Sequence, residues 1–459
     1  MDKDAEIERL LEENKQLRNE NTALKIRITE LEKIVSDIVE QTKQHAVKKN
    51  SNNSSLPPST DLSRKSRTLR TPSGKKPGGQ IGHKGSTLIM TETPDEIHGL
   101  IPDYCNHCGK ELTEIEAQFE SKRQIVEIPP VKPIYIEFQN YSKTCTCGHK
   151  QTGTYPEGVT NHIQYGPSVE AIVGYQSVYQ YTPFKRLCAL FRHYFQLPIC
   201  EGSIDNLLKR LSAKGMPIYS AIHEIIEKSR QVGSDETGTK INGEKGWTWT
   251  WQNIRATYIS VSFSRGKEAI QNVFPNGFIN AILNSDRWRP QINTNAKGHQ
   301  LCFAHLLREL LYLIESEKTL WAVQIKQLFM SALDLKKQCP QYARDDLNVV
   351  EMESILDLLL AEPLEKAKTP KTLNFLESMI EFRGYIFPFL YHAEIPPDNN
   401  GSERAIRNIK VKQKISGQFK TGHESFAVLR SIIDTCIKNN ADVFEVLKLI
   451  SQLSIPATE

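Results

Sequence analysis

Apolar residues recur every three to four positions through the first forty residues. With Ile7 at heptad position a, the a sites are Ile7, Asn14, Asn21, Ile28 and Val35, and the d sites are Leu10, Leu17, Leu24, Leu31 and Ile38. A seam sustained over five heptads predicts a coiled coil; Leu at d favours two parallel strands, and Asn at a fixes register and dimeric state at some cost in stability. In a parallel dimer each g residue faces the next e residue of the partner, pairing Glu13 with Arg18, Glu20 with Lys25 and Arg27 with Glu32, all attractive. Residues 1–42 are therefore expected to form a homodimer through Leu10, Asn14, Leu17, Asn21, Leu24 and Leu31.

The pattern then stops. Residues 43–88 contain Ser, Asn, Pro, Gly and Lys/Arg with almost no large apolar side chains, and are expected to be a disordered linker. In 89–165, QIVEIPPVKPIYIEFQNYSKT is rich in β-branched and aromatic residues and predicts hairpin strands. Residues 166–228 return to helical spacing, with a break at Leu197–Pro198 and Ser203 as the expected N-cap of the following helix. That helix pair reads as a helix-turn-helix placing Lys185, Arg186, Arg192, Lys209 and Arg210 on phosphates, or as simple packing.

After Ser229 the period changes to two. RQVGSDETGTKI, GWTWTWQN and ATYISVSFS read as strands, GKEAIQNVF as a helix, INAILNSDRW as a strand ending at Asp286, and HQLCFAHLLRELLYLI as a strand running into a helix. Trp247, Trp249 and Trp251 share one strand face, expected to be core. This order is that of a ribonuclease-H-like sheet spanning 229–314. Residues 315–392, rich in Leu, Ala, Lys and Glu, read as a mainly helical insertion, 393–430 as the return to the core, and 431–459 as a C-terminal helical segment.

Composition narrows the class. Over 459 residues, 39% apolar and 24% charged composition suits a soluble globular protein and excludes a collagenous or wholly disordered chain. No run of about 18 apolar residues occurs and the N-terminus is charged, so no membrane association and a cytoplasmic location are expected. Charge is uneven: residues 41–86 carry ten Lys/Arg against one acid, and 404–430 seven against one. Such segments neutralise phosphates without reading sequence, which nominates Lys75, Lys76, Lys410, Lys412 and Lys414 as DNA contacts.

Two of the cysteine groupings are close-spaced. Cys105 and Cys108 lie in YCNHCGK, and Cys145 and Cys147 in TCTCGHK. Each pair lets two thiolates converge from one turn, Gly109 and Gly148 give the backbone freedom for it, and together they complete a tetrahedral, structural Zn²⁺ site of zinc-ribbon type. His107 and His149 are alternative ligands that four cysteines make unnecessary. Cys188, Cys200, Cys302, Cys339 and Cys436 are scattered and read as core. The fold class that follows is multidomain α+β: an N-terminal parallel coiled coil, a zinc ribbon, a helical domain, and a ribonuclease-H-like α/β core interrupted by a mainly helical insertion.

In such a core Asp235 lies on the first strand and Asp286 just after the fourth. A third acid, Glu403, stands 117 positions beyond Asp286, in the first turn of a helix capped by Asp398 or a neighbouring Asn. Arg407, Lys410 and Lys414 follow it on the same helical face. Three carboxylates are hard oxygen ligands suited to a pair of Mg²⁺ ions, or Mn²⁺, which activate the attacking oxygen and steady the leaving oxygen of a phosphodiester.

The chain resembles the transposases of the insertion-sequence family numbered sixty-six over nearly its whole length. The resemblance rests on the zipper, NSSLPPSTD, GGQIGHKGSTL, CNHCG with CTCG, SDETG, CFAHLLR and DNNGSERAIR, in that order. It implies a Mg²⁺-dependent DDE enzyme with the triad Asp235, Asp286 and Glu403, which binds the terminal inverted repeats of a mobile element and target DNA. Water would be its first nucleophile and a 3′-hydroxyl its second. Cys302, His305 and Arg308 match the family's C-x-A-H-x-x-R element, and Asn399, Asn400, Arg404 and Arg407 its residues around the last acid. Also implied are a bacterial, nucleoid-associated setting and companion proteins encoded by the same element. The chain departs from the family at Glu309, usually Arg, and at Asp286–Arg287–Trp288, usually Asp–Gly–Tyr. The rival expectations are a catalytically silent DNA-binding regulator and a nuclease that hydrolyses without joining.

Overall fold

A computed structural model describes Gln16, Arg27, Asn50, Asn53 and residues 78–80, 82–85, 87–361 and 370–455. The expected dimerisation residues Leu10, Asn14, Leu17, Asn21, Leu24 and Leu31 lie outside the described residues, as do Lys75, Lys76 and most of the linker. Among the described residues, the larger of two units contains Phe138–Cys188 and Ile199–Glu459; the smaller contains the stretch ending at Glu137 together with Ala189–Pro198.

The smaller unit has little regular structure. Tyr104 and Glu111 form an isolated bridge across the first cysteine turn, and Thr91 and Gln124 exchange hydrogen bonds of 2.8 and 2.7 Å. The strands expected over 124–141 are not formed. Ile125, Ile128 and Ile134 of that stretch are 86–87% exposed, so alternation there has no apolar face to bury against. In the larger unit the three-residue strands β1 (Ser142–Thr144) and β2 (Lys150–Thr152) pair around the second cysteine turn.

Helices α1 (Pro167–Gly174), α2 (Phe184–Tyr194) and α3 (Glu201–Glu227) follow. The N-cap of α3 is Cys200, whose Sγ accepts the Ser203 N–H at 3.4 Å; Ser203, the expected cap, lies inside the helix. Cys200 is accordingly exposed, not core, while Cys188 and Cys339 are part-buried and Cys302 and Cys436 are buried.

The mixed sheet is built from β3 (Gln231–Ile241), β4 (Glu244–Gln252), β5 (Thr257–Ser262), β6 (Phe278–Ser285) and β7 (Ala296–Leu301), in the order β5-β4-β3-β6-β7. The first three run antiparallel; β6 lies parallel to β3, and β7 to β6. Trp249 and Trp251 are fully buried and stacked 5.8 Å apart, as a core face requires, whereas Trp247 is part-exposed. A short helical turn (Lys267–Gln271) precedes β6 and another (Arg289–Ile292) follows it.

Helix α4 (Phe303–Glu317) leaves β7 directly. Helices α5 (Leu320–Gln338), α6 (Leu347–Ala361) and α7 (Pro370–Glu381) then share an apolar core of Trp321, Ile325, Phe329, Leu356, Phe375 and Met379. The returning chain is tied to the sheet by two buried amides. Gln300 on β7 donates to the Ile386 carbonyl at 3.0 Å and accepts the Phe389 N–H at 2.9 Å; Asn284 on β6 donates to the carbonyls of Pro396 and Asp398 at 2.8 and 3.0 Å. Then come α8 (Asn400–Ser416), α9 (His423–Lys438) and α10 (Val443–Gln452). β5 is an edge strand, and α9 covers that edge: Thr435 Oγ1 and Ser431 Oγ accept the N–H groups of Thr257 and Ile259 at 3.1 and 2.9 Å. Donors that would otherwise invite another strand are thereby satisfied.

Candidate functional site

Parallel register brings the first two acids together. Gly233 on β3 lies opposite Asn284 on β6; Asp235 follows two residues on along β3 and Asp286 directly after the end of β6, close enough for their charges to interact. Desolvation, followed by the charges of Asp286 and Glu236, pushes the Asp235 carboxyl well above the usual carboxylate range. The Glu236 N–H, donating to Asp235 Oδ1 at 2.9 Å, opposes this only partly.

Glu403 reaches the same place on α8. That helix lies against β3 and β4 at close range: a Cβ at Gly401 would stand 2.5 Å from Gln252 Nε2, and one at Gly233 2.7 Å from Asn399 Oδ1. Asn399 latches the helix start, its Nδ2 donating to the Ser234 carbonyl at 2.6 Å and its N–H to Cys302 Sγ at 3.2 Å, while Ser402 Oγ donates to Asn399 Oδ1 at 2.7 Å. Asp398 accepts the Asn400 N–H at 3.0 Å and its Nδ2 at 2.6 Å, satisfying donors at the helix start. Asn399 and Asn400 thus hold the helix that carries the acid.

Helix α4 places His305 and Arg308 between the second and third acids. His305 Nδ1 is 2.8 Å from Asp286 Oδ1 and 3.9 Å from Glu403 Oε1; Arg308 Nη2 is 3.4 Å from Glu403 Oε1, and its Nη1 is 3.2 Å from His305 Nε2. Burial disfavours charge on His305, but Asp286 and Cys302 outweigh it and lift its pKa to about 11. Asp286 Oδ1 and His305 Nδ1 are buried, and their contact lacks the alignment of a hydrogen bond. Sequence reasoning placed Asp235, Asp286, Glu403, His305 and Arg308 in the site, and the structure brings all five together.

It missed others. Glu236 is held by Arg265 at 2.8 Å and by Gln291 Nε2 at 2.9 Å. Arg265 lies over the rings of Trp247 and Trp288, at 4.7 and 4.0 Å from their centroids. An acid directly after Asp235 was the available signal. The two departures from the family pattern meet: Arg287, beside the second acid, pairs with Glu309 on α4.

The basic stripe is divided. Arg404, Arg407 and Lys414 are exposed on α8, but Lys410 is part-buried with Nζ 3.2 Å from the Gly238 carbonyl, and Lys412 is buried with Nζ over the Phe184 ring. Lys412, expected on phosphates, instead faces the protein, because α8 is flanked on more than its sheet side. In the helical segment, Arg210 is bound to the buried Glu170 at 3.1 Å and to the Tyr165 carbonyl, a packing role that removes it from phosphates.

Each cysteine pair sits in its own tight turn. Gly109 N–H donates to the Cys105 carbonyl at 2.8 Å and Gly148 N–H to the Cys145 carbonyl at 2.9 Å, with both glycines at positive φ (75° and 87°). Amides of the turn, Cys108 and His107 for Cys105 and Cys147 for Cys145, lower both thiols below the ordinary cysteine value. Two equivalent turns with acidified thiols suit thiolate ligation.

The family model described as "Transposase IS66 family" matches residues 162–425, and that of the "zinc-finger binding domain of transposase IS66" matches residues 102–148. No curated protein matches the chain.

Proposed function

The chain belongs to the IS66 family of transposases, and from that premise we propose that it binds the ends of a mobile element and cleaves and joins DNA strands with Mg²⁺ held by Asp235, Asp286 and Glu403. The observation that carries this reading is the convergence of three acids separated by up to 168 positions in sequence, through in-register β3 and β6 and the close seat of α8. The strand order β5-β4-β3-β6-β7 supports a ribonuclease-H-like core.

The donor set suits a hard divalent ion. Asp235 is driven toward its neutral form by burial and then by the charges of Asp286 and Glu236, and Asp286 Oδ1 makes no hydrogen bond; a cation at this place would favour the charged carboxylates. When bound, such ions supply activation of the attacking oxygen and charge stabilisation at the leaving oxygen. The chain's own residues do the rest. Asn399 and Asp398 fix the start of α8 and so the reach of Glu403; His305 and Arg308 hold Asp286 and Glu403 in mutual range. Arg404, Arg407 and Lys414 are exposed along the helix that carries Glu403 and suit DNA phosphates. Cys105, Cys108, Cys145 and Cys147 all fall in the zinc-finger match and are the proposed Zn²⁺ ligands. Among the described residues no helix is long and apolar enough to cross a membrane. Homodimerisation through residues 1–42 completes the reading.

The test uses the full chain with DNA fragments taken from either side of its gene. Nicking of such a fragment and joining to a second duplex, both dependent on Mg²⁺ or Mn²⁺ and both lost in Asp286→Asn, are expected. Normal cleavage by Asp286→Asn would remove it from the triad, and hydrolysis without joining would reduce the activity to a nuclease.

A further inference from the structure

Cys302 is not used by the three-acid reading, yet it stands inside the site. It is 1% exposed, it is the N-cap of α4, and its Sγ accepts the Asn399 N–H at 3.2 Å. One ligand atom each from Asp286, Cys302 and His305 lies within 4.8 Å of the other two. Asp286 Oδ1 and His305 Nδ1 are both buried and make no hydrogen bond.

We infer that Asp286, Cys302 and His305 form a second metal site, selective for a thiophilic divalent ion of the Zn²⁺ class, whose occupation withdraws Asp286 from Asp235 and Glu403. Sulfur, imidazole nitrogen and one carboxylate oxygen make a three-ligand set with a fourth position open, a combination that suits Zn²⁺ and not Mg²⁺, which requires oxygen donors in octahedral array. Arg308 stands beside this set, its Nη1 3.2 Å from His305 Nε2 and its Nη2 3.4 Å from Glu403 Oε1. Asp286 belongs to both ligand sets, so an ion held with Cys302 and His305 competes for it with the ions held by Asp235 and Glu403. This regulation rests on the catalytic reading above, but the binding does not.

The experiment equilibrates the full-length protein with Zn²⁺ alone, removes free ion, and measures metal per chain, with Co²⁺ substitution reporting thiolate coordination by its charge-transfer band. Two ions per chain are expected in the unmodified protein and one in Cys302→Ser, with Cys105→Ser losing the other. His305→Gln gives an independent loss should Cys302→Ser fold poorly. Asp235→Asn should keep both ions, which separates this site from the Mg²⁺ pair. One ion per chain in the unmodified protein, or unchanged content in both Cys302→Ser and His305→Gln, overturns the proposal. A protein that binds the second ion but cleaves no DNA retains this site and refutes the catalytic reading instead.

Discussion

The sheet around the acids and the segments around the cysteines are specified in opposite ways. In the sheet, Val232, Trp249, Trp251, Ile259 and Leu283 are at most 1% exposed, and backbone pairing follows from covering these side chains. Around the cysteines, Ile125, Ile128 and Ile134 stay in solvent, and order is confined to turns closed by a few backbone hydrogen bonds. Alternating apolar residues therefore make a strand only where a second layer receives them. Where none does, order is confined to the cysteine turns, the place where a metal held by the proposed ligands would stand in for apolar burial.

Removing zinc is the strongest way to break the comparison. A structural Zn²⁺ site contributes about 10–16 kcal/mol of binding energy that is also folding energy. Chelation, or Cys108→Ser, should abolish hydrogen-exchange protection across 102–148 and leave that of β3 to β7 unchanged; parallel loss in both regions would show a shared stability. Next in size, Asp235→Asn should slow cleavage by about a thousandfold, the loss of several kcal/mol of charge stabilisation, with the sheet's unfolding curve unchanged or steepened. Combining it with Glu403→Gln should cost little more, because groups acting as a unit are non-additive.

Two substitutions sharpen the packing side. Gly401→Val forces a side chain onto Gln252 and should destabilise the larger unit by about 1–3 kcal/mol in denaturant unfolding. Lys438→Met leaves Gln252 Oε1 and the carbonyls of Asn253 and Ala256 without the ammonium that now bonds all three, at a cost of about 1–3 kcal/mol. The smallest effect concerns DNA. Arg404→Ala and Arg407→Ala should each lower the slope of log affinity against log salt by about 1, whereas Lys412→Ala should change stability and leave the slope alone.

The legible part of this fold is the part written in short-range pattern. Period-two runs located β3 to β7, and Asp235 and Asp286 could be set side by side because strand ends and acids coincide. Glu403 was legible from its helix start and basic flank. What escaped depends on contacts between distant segments: Cys200 takes the capping role from Ser203 through sulfur, Lys412 is turned inward by Phe184, and Glu236 is claimed by Arg265 and Gln291. The 124–141 stretch misled for the complementary reason, since its alternation has nowhere to be buried.

Asn284 and Gln300 have a further consequence. Both amides grip the backbone of the chain as it comes back from the helices, so the address at which α8 begins is encoded on β6 and β7 and not along the route taken to reach it. The detour can then be lengthened, shortened or exchanged at its solvent-facing connections, because closing a longer loop costs only about 0.6 kcal/mol per doubling. The distance in sequence between the second and third acids is free to drift while their distance in space is not.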